Sequence, residues 1–503
     1  MKVQLMYADR DFDPDAELPA NTDDLTSDLG LDTLWDAMAD GDDYLRGVAR
    51  TAVLTGLAAP DSIAYRQDSL DDCLREPDVV RQIYQLAVDS IKDEKQIYYG
   101  LLSNRFPEYT LRRSVDVLEL FVGYLKQLRQ ITDEHGGRFG SDGFTTLFTM
   151  LGKELSDDYF VEIDDHLKRL KFRGGMLISA RLGEGMMARG YVLRRPSDER
   201  PGWWRRLFSN GRPAFSFTIP DRDEAGSKAL ADLRARGINA VANAMAQSTD
   251  HILSFFQLLR AELGFYVGCL NLRTALATRG GRVCRPQPAL PGSLVLNTRG
   301  LYEACLRLRT DKPVVGNDLA ANGTSLVMIT GANQGGKSTF LRALGLAHVM
   351  MAAGMFVAAD SFDAAVPAGV FTHFKREEDA TMESGKLDEE LARMSGIADA
   401  ITANDLLLGN ESFSATNERE GSEIARQILR ALQETGVRVL FVTHLYDLAH
   451  TWYQQHPDTA LFLRAEREEG GRRTFQLKPE EPLETSYGQD LYRQVFGSPD
   501  TDR

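Results

Sequence analysis

The sequence predicts an α/β carboxyl-terminal domain, a parallel sheet covered by helices, attached to a mainly α-helical amino-terminal region. Three observations predict it. Apolar residues recur at helical spacing through most of the first 290 positions. After PQPALPGS (286–293) short β-rich runs alternate with helical ones. One of those alternations passes through a glycine-rich turn, TGANQGGKST (330–339).

In chain order, DVVRQIYQLAVDSIK (78–92) sets Val80, Ile83, Tyr84, Ala87, Val88 and Ile91 on one helical face, with Asp78 placed to cap it. SVDVLELFVGYLKQLRQI (114–131) repeats the pattern through Leu118, Phe121, Leu125 and Leu128, and HGGRFGSDG (135–143) breaks it. YFVEIDDHLKRLKF (159–172) reads as a further helix, and MLISARL and GYVLRRP read as short strands. Helical patterning returns over 224–278, enough for two or three helices or one long pair. Then come SLVMIT and KSTFLRALGLAHVMMAA, DLLLGN and EGSEIARQILRALQET, and RVLFVTH with a short helix. These divide the chain into an amino-terminal extension (1–30), a helical core and lever region (31–290) and an α/β domain (291–503).

At 503 residues the chain is too long for one hydrophobic core. Its 43% hydrophobic and 26% charged residues are ordinary for a globular protein. Four cysteines without CxxC spacing point to neither a disulfide framework nor a zinc site, and fit a reducing cytoplasm. MKVQLMYADRDFD turns acidic too early for a signal peptide, and the apolar window 344–359 is short for a membrane span, so no membrane role is expected. A net charge of −15 opposes generic polyanion binding, so contact with DNA must be local.

The chemistry concentrates in SLVMITGANQGGKSTFLRAL (325–344). Gly331-x-x-x-x-Gly336-Lys337-Ser338, between a strand and a helix, is a P-loop. Backbone N–H groups of such a loop wrap phosphates, and the helix amino end adds positive potential. Lys337 would reach the β- and γ-phosphates of ATP, and the Ser338 hydroxyl would ligate Mg²⁺. In DLLLGNESFSATNEREG (405–421), a second strand ends in Asn410-Glu411, where a magnesium-steering acid and a water-orienting glutamate are expected. Glu411 suits the base, and Asn410 offers an oxygen to a magnesium-bound water without a charge. RVLFVTH (438–444) ends in His444, placed to sense the γ-phosphate.

Together these runs resemble the ATPase domain of the MutS family of DNA mismatch-repair proteins. TGANQGGKSTFLRALG is similar to that family's TGPNMGGKST loop, with Ala332 and Gln334 departing from it. NESFSATNEREG keeps Glu411, Thr416 and Gly421 of the family's acidic run and replaces two aspartates by Asn410 and Glu420. VTHLYDLA resembles its switch, with Leu445 for Phe, and SYG (486–488) its closing segment. The resemblance implies an ABC-like P-loop NTPase fold. It implies nucleotide contacts from Gly331, Asn333, Gly335, Gly336, Lys337, Ser338 and Thr339, and adenine contacts from VVGNDL through Val315 and Asn317. It also implies that Ser384, in ESGKLDEELARM, reaches a partner's γ-phosphate, so that the ATPase domains form a homodimer. Upstream, 31–80 resembles the start of the family's helical core, and no mismatch-reading domain is expected.

The implied activity is ATP hydrolysis, slowed by Asn410, with Glu411, His444 and Lys337 catalytic and with magnesium on Ser338, Asn410 (through water) and Glu411. Lever helices would grip or release DNA through LRRPSDERPGWWRRLFSNGRP (193–213), which sets arginines beside Trp203 and Trp204. The alternative is a nucleotide-gated scaffold that recruits protein partners with little turnover. No LSGGQ-like signature supports a transporter cassette.

Overall fold

The computed structural model describes residues 1–97, 107–172, 175–183, 188–194, 218–220, 222–376, 385–455, 459–468 and 473–483. The chain divides into two compact units, one of residues 1–3, 81–138 and 145–260, the other of 4–80, 139–144 and 261–503. This division cuts across the boundaries expected at 30 and 290.

In the first unit the helices Pro107–His135 and Asp157–Leu170 accompany a hairpin in which β1 (Leu177–Leu182) pairs antiparallel with β2 (Ala188–Arg194). Leu118, Phe121, Leu125 and Leu128 are buried, as their shared helical face requires, and the Phe121 ring lies 5.6 Å from Phe256. On the helix Pro77–Gln96, Val80, Ile83, Tyr84, Ala87 and Ile91 are buried, while Val88 is half-buried at the edge of the face.

Residues 224–278 form one 55-residue helix rather than two or three. No proline interrupts the run, and an isolated glycine costs only about 1 kcal/mol in a helix, less than packing restores. Two of its glycines are sites of close approach. A Cβ on Gly237 would stand 2.5 Å from Ile178, and one on Gly268 would stand 3.3 Å from Met38. An 18-residue window of this helix has a mean hydropathy of 1.2, and 72% of it is buried in the fold, which accounts for its composition.

In the second unit, Leu5, Met6 and Phe12 of the expected amino-terminal extension are buried. The cause is Glu262, whose carboxylate accepts the backbone N–H groups of Leu5 (2.5 Å), Met6 (3.0 Å) and Phe12 (3.1 Å). Burial pushes this carboxyl up to about 7 against the opposing pull of those three donors. Buried Arg66 completes the clasp, donating to the carbonyls of Met6 and Ala353, each at 3.2 Å.

Two sheets follow. A four-stranded sheet, not anticipated from the sequence, has the order β3-β7-β4-β5, from β3 (Gln287–Ala289), β4 (Leu296–Leu301), β5 (Asn317–Ala320) and β7 (Ser361–Ala365). Its strands are three to six residues long and carry no extended apolar alternation, which is why they escaped notice. The larger sheet comprises β6 (Leu326–Gly331), β8 (Val370–Phe374), β9 (Leu406–Asn410), β10 (Arg438–Val442), β11 (Ala460–Arg467) and β12 (Arg473–Pro479). Its order is β12-β11-β6-β10-β9-β8, parallel throughout except for the antiparallel edge strand β12. The central strands read as continuous apolar runs because helices cover both faces. The helix Glu418–Glu434 packs on β10, with Ala425, Leu429 and Leu432 in a core shared with Leu407, Val439 and Phe441.

Candidate active site

Strand β10 lies between β6 and β9, with Val442 level with both Ile329 and Asn410. The loops leaving these three strands therefore emerge side by side, and they carry the residues singled out from the sequence. Lys337, Ser338, Asn410, Glu411 and His444 converge there.

The loop after β6 runs into the helix Lys337–Ala352. Gly336 has φ +90°, a conformation costly for any side chain, and a Cβ on Gly335 would stand 2.7 Å from Ala465 and 2.9 Å from the Ala332 carbonyl. A bare backbone cradle results. Lys337 is 4% exposed, and its Nζ donates to the carbonyls of Gly331 and Ala332, both at 3.0 Å. Burial pulls its amine down to about 8, helped by Arg473 and opposed by Glu411. Asn333 is exposed, and Ser338 and Thr339 are half-buried at the first helical turn.

The Ser338 hydroxyl donates to Asn410 Oδ1 at 2.7 Å. The two groups meant to hold magnesium directly and through water are thus already paired. Glu411 has φ +55°, and its N–H donates to the Val442 carbonyl at 2.9 Å. This kink turns its carboxylate to His444, whose Nε2 lies 2.9 Å away. The hydrogen bond from His444 holds the Glu411 carboxyl below its ordinary range despite half-burial, with Lys337 adding to the effect. The loop beyond is tight. A Cβ on Gly421 would stand 2.4 Å from the Phe413 carbonyl, and Thr416 donates to Glu420 at 2.7 Å.

Other expected residues sit differently. Val315 is half-buried, and the Asn317 amide is committed to β12. Its Nδ2 donates to the Phe475 carbonyl at 3.1 Å, and its Oδ1 accepts the Leu477 N–H at 2.8 Å. This side chain therefore clamps an edge strand, and it does so beside the cradle. Ser384, the SYG at 486–488 and nearly all of 193–213, including Trp203 and Trp204, lie outside the described residues.

Two residues of β12 were missed. Phe475 is 47% exposed with φ +60°, and a Cβ on Gly336 would stand 3.5 Å from its Cβ. An exposed aromatic ring at the rim of a phosphate cradle suits a stacked base. Arg473 Nη1 donates to Gln334 Oε1 at 3.0 Å and sets a second cation near Lys337. The local run RRTFQL carries no signal beyond an edge strand; only the pairing with β11 and the Asn317 clamp bring it to the P-loop. Phe475→Ala is expected to raise the Kd for ATP roughly fivefold to tenfold, about the cost of one lost stacking contact. Titration of the variant with a fluorescent nucleotide checks this, and the Kd for inorganic triphosphate should not change.

Among the described residues no group of three or more His, Cys, Asp or Glu side chains is arranged to hold a metal alone. Magnesium fits differently here, because it commonly binds through one or two protein oxygens with phosphates and water completing its shell. The Ser338–Asn410 pair supplies such oxygens.

Residues 58–279 match the family model for the MutS2 N-terminal domain, and residues 327–499 match that for MutS domain V. The human MutS protein homolog 4 is 23% identical over 51% of this chain and 27% of its own length. The DNA mismatch repair protein MutS of Chlorobium phaeobacteroides is 31% identical over 47% of this chain and 27% of its own. The endonuclease MutS2 of Thermus thermophilus is 34% identical over 24% of this chain and 16% of its own. The matched region thus spans between about a sixth and just over a quarter of the length of these curated relatives. Matches to the MutS2 N-terminal domain and to MutS domain V, together with a P-loop whose serine meets the strand-end Asn410, make this chain a member of the MutS family.

Proposed function

We propose that this chain is a slow, magnesium-dependent ATPase of the DNA-repair or recombination type, in which ATP closes a homodimer and shifts helices that hold DNA. The observation that carries the reading is the 2.7 Å contact between Ser338 and Asn410, next to Lys337 and the His444-held Glu411. On ATP binding, Lys337 would leave its two loop carbonyls for the β- and γ-phosphate oxygens, while backbone N–H groups of 333–338 surround the phosphates. Ser338 and Asn410 would hold magnesium, directly and through water, and the ion would offset charge on the transferring phosphoryl group. Glu411, ionised at neutral pH, orients the attacking water and accepts its proton, and His444 fixes the carboxylate.

Slowness follows from Asn410, which holds the place of an acid without its charge. Asn410→Asp is expected to raise kcat about tenfold, equivalent to ~1.4 kcal/mol of barrier. Steady-state phosphate release from wild type and variant tests this. Equal rates would remove Asn410 as the brake. The same asparagine favours a second reading, a nucleotide-gated scaffold for protein partners. Wild-type phosphate release indistinguishable from that of Glu411→Gln would favour the scaffold.

Two relatives have names that speak of mismatch repair or an endonuclease, which motivates DNA as the partner here. Support within the chain is the β1–β2 hairpin, where Arg181, Arg189 and Arg194 are all exposed. If those arginines meet phosphates, log affinity for DNA should fall against log salt with a slope of about −2 to −3. No binding at low ionic strength, with or without ATP, would take DNA out of the reading.

A further inference from the structure

We infer that His373 is a positioning residue for Glu411, acting through the hydroxyl of Ser412 and tying the catalytic loop to the helix Lys386–Ala400. The inference rests on the hydrolytic reading above. His373 lies on β8, level with Gly409 of β9 and one register step from Asn410. It is fully buried, and its ring stacks on Phe413 with centroids 5.4 Å apart and planes 23° apart.

Its ring nitrogens have unlike partners, and these fix the tautomer. Nε2 lies 3.0 Å from the backbone carbonyl of Glu390, which can only accept, so Nε2 carries a proton. Burial, with Arg393 nearby, pulls the imidazole down to about 4, so the ring is neutral and Nδ1 is an acceptor. The Ser412 hydroxyl, 2.7 Å away, donates to it. That hydroxyl also lies 2.9 Å from the His373 carbonyl, so one proton has two acceptors on one residue. Ser412 is held at both choices, and it is itself fully buried.

The residues flanking Ser412 explain why such a hold is needed. Glu411 and Phe413 have φ of +55° and +62°, and neither is glycine. Each left-handed residue of this kind is costly for an L side chain, and it persists where surrounding contacts over-determine it. Ser412 is the fixed point between the two, and His373 and its stacked partner Phe413 supply the contacts. Relaxing them would let the Glu411 φ move to negative values and swing the carboxylate off His444. The other end of the relay, the Glu390 carbonyl, belongs to a helix held by Arg393, whose Nη1 donates to the Phe374 carbonyl at 2.9 Å. A shift of that helix would therefore reach Glu411 through one imidazole.

His373→Phe keeps the ring and its stacking but removes both nitrogens, and Ser412→Ala removes the hydroxyl with little change in volume. Each is expected to lower kcat about tenfold or more with ATP affinity within about twofold of wild type, and the double variant should be no slower than either single one. Amide hydrogen exchange at 411–413 should quicken in both variants, a readout that does not depend on turnover. Wild-type kcat with unchanged exchange in Ser412→Ala, or loss of ATP affinity in parallel with kcat, would overturn the inference. If Glu411→Gln turns over like wild type, the hydrolytic reading fails, while quickened or unchanged exchange still decides whether His373 holds this loop.

Discussion

Replacing Glu411 with glutamine is expected to lower kcat for ATP hydrolysis by about 10²–10⁴-fold, the usual scale for removing a positioned general base. The amide keeps the shape and retains an oxygen for the His444 Nε2–H, so the loop and its left-handed φ should survive. What is lost is the charge. Because the Glu411 carboxyl sits below its ordinary range, it is ionised throughout the neutral region, and the role proposed for it is more to orient water than to act as a strong base. ATP affinity should stay within about twofold, since in the proposed mechanism the carboxylate faces water and not the nucleotide in the ground state. Single-turnover hydrolysis beside equilibrium nucleotide binding separates these effects. Comparable single-turnover rates in the two proteins would reject Glu411 as the base.

Lys337→Ala is expected to weaken ATP binding by about 10²-fold or more, the worth of two charge-assisted hydrogen bonds. The free protein parks this ammonium on the carbonyls of Gly331 and Ala332, so binding exchanges two neutral acceptors for phosphate oxygens. The depressed amine adds a pH signature. With a value of about 8 in the free protein, Lys337 loses its proton as pH rises through 8, while phosphate favours the charged form. ATP affinity should therefore decline above pH 8 in wild type, with proton uptake on binding, and this dependence should vanish in Lys337→Ala. Calorimetry in buffers of different ionisation heat measures the uptake. Size measurement with and without ATP tests the proposed dimer in the same pair of proteins: growth with ATP in wild type alone is expected, and a monomer in every condition would contradict a shared site.

Much of the candidate site is legible in the sequence because it is written in short, local patterns. A strand, a glycine turn and the start of a helix within residues 325–344 need no tertiary information, and Asn410 and His444 announce themselves as polar ends of buried runs. The readings that fared worse involve choices that local pattern leaves open. The 224–278 run was divisible on paper, but without proline only packing could decide it, and Gly237 and Gly268 proved to be contact points rather than breaks. Asn317, expected as a nucleotide contact, also holds β12 through both ends of its amide, a pairing that the VVGNDL run does not reveal.

From the residues alone came the glycine-rich P-loop, its Lys337 and Ser338, and an asparagine at the strand end where an acid is expected, since each depends on chemical identity within one stretch of chain. Tertiary structure decided who meets whom. Strand order seats β10 between β6 and β9, so His444 reaches Glu411. The edge strand β12 brings Phe475 and Arg473 to a loop well over a hundred positions earlier in the chain. Glu262 fastens the amino-terminal residues into the second unit, and β8 supplies His373 to Ser412. Side-chain contacts between distant segments arise from sheet order and burial, which no single window of sequence encodes.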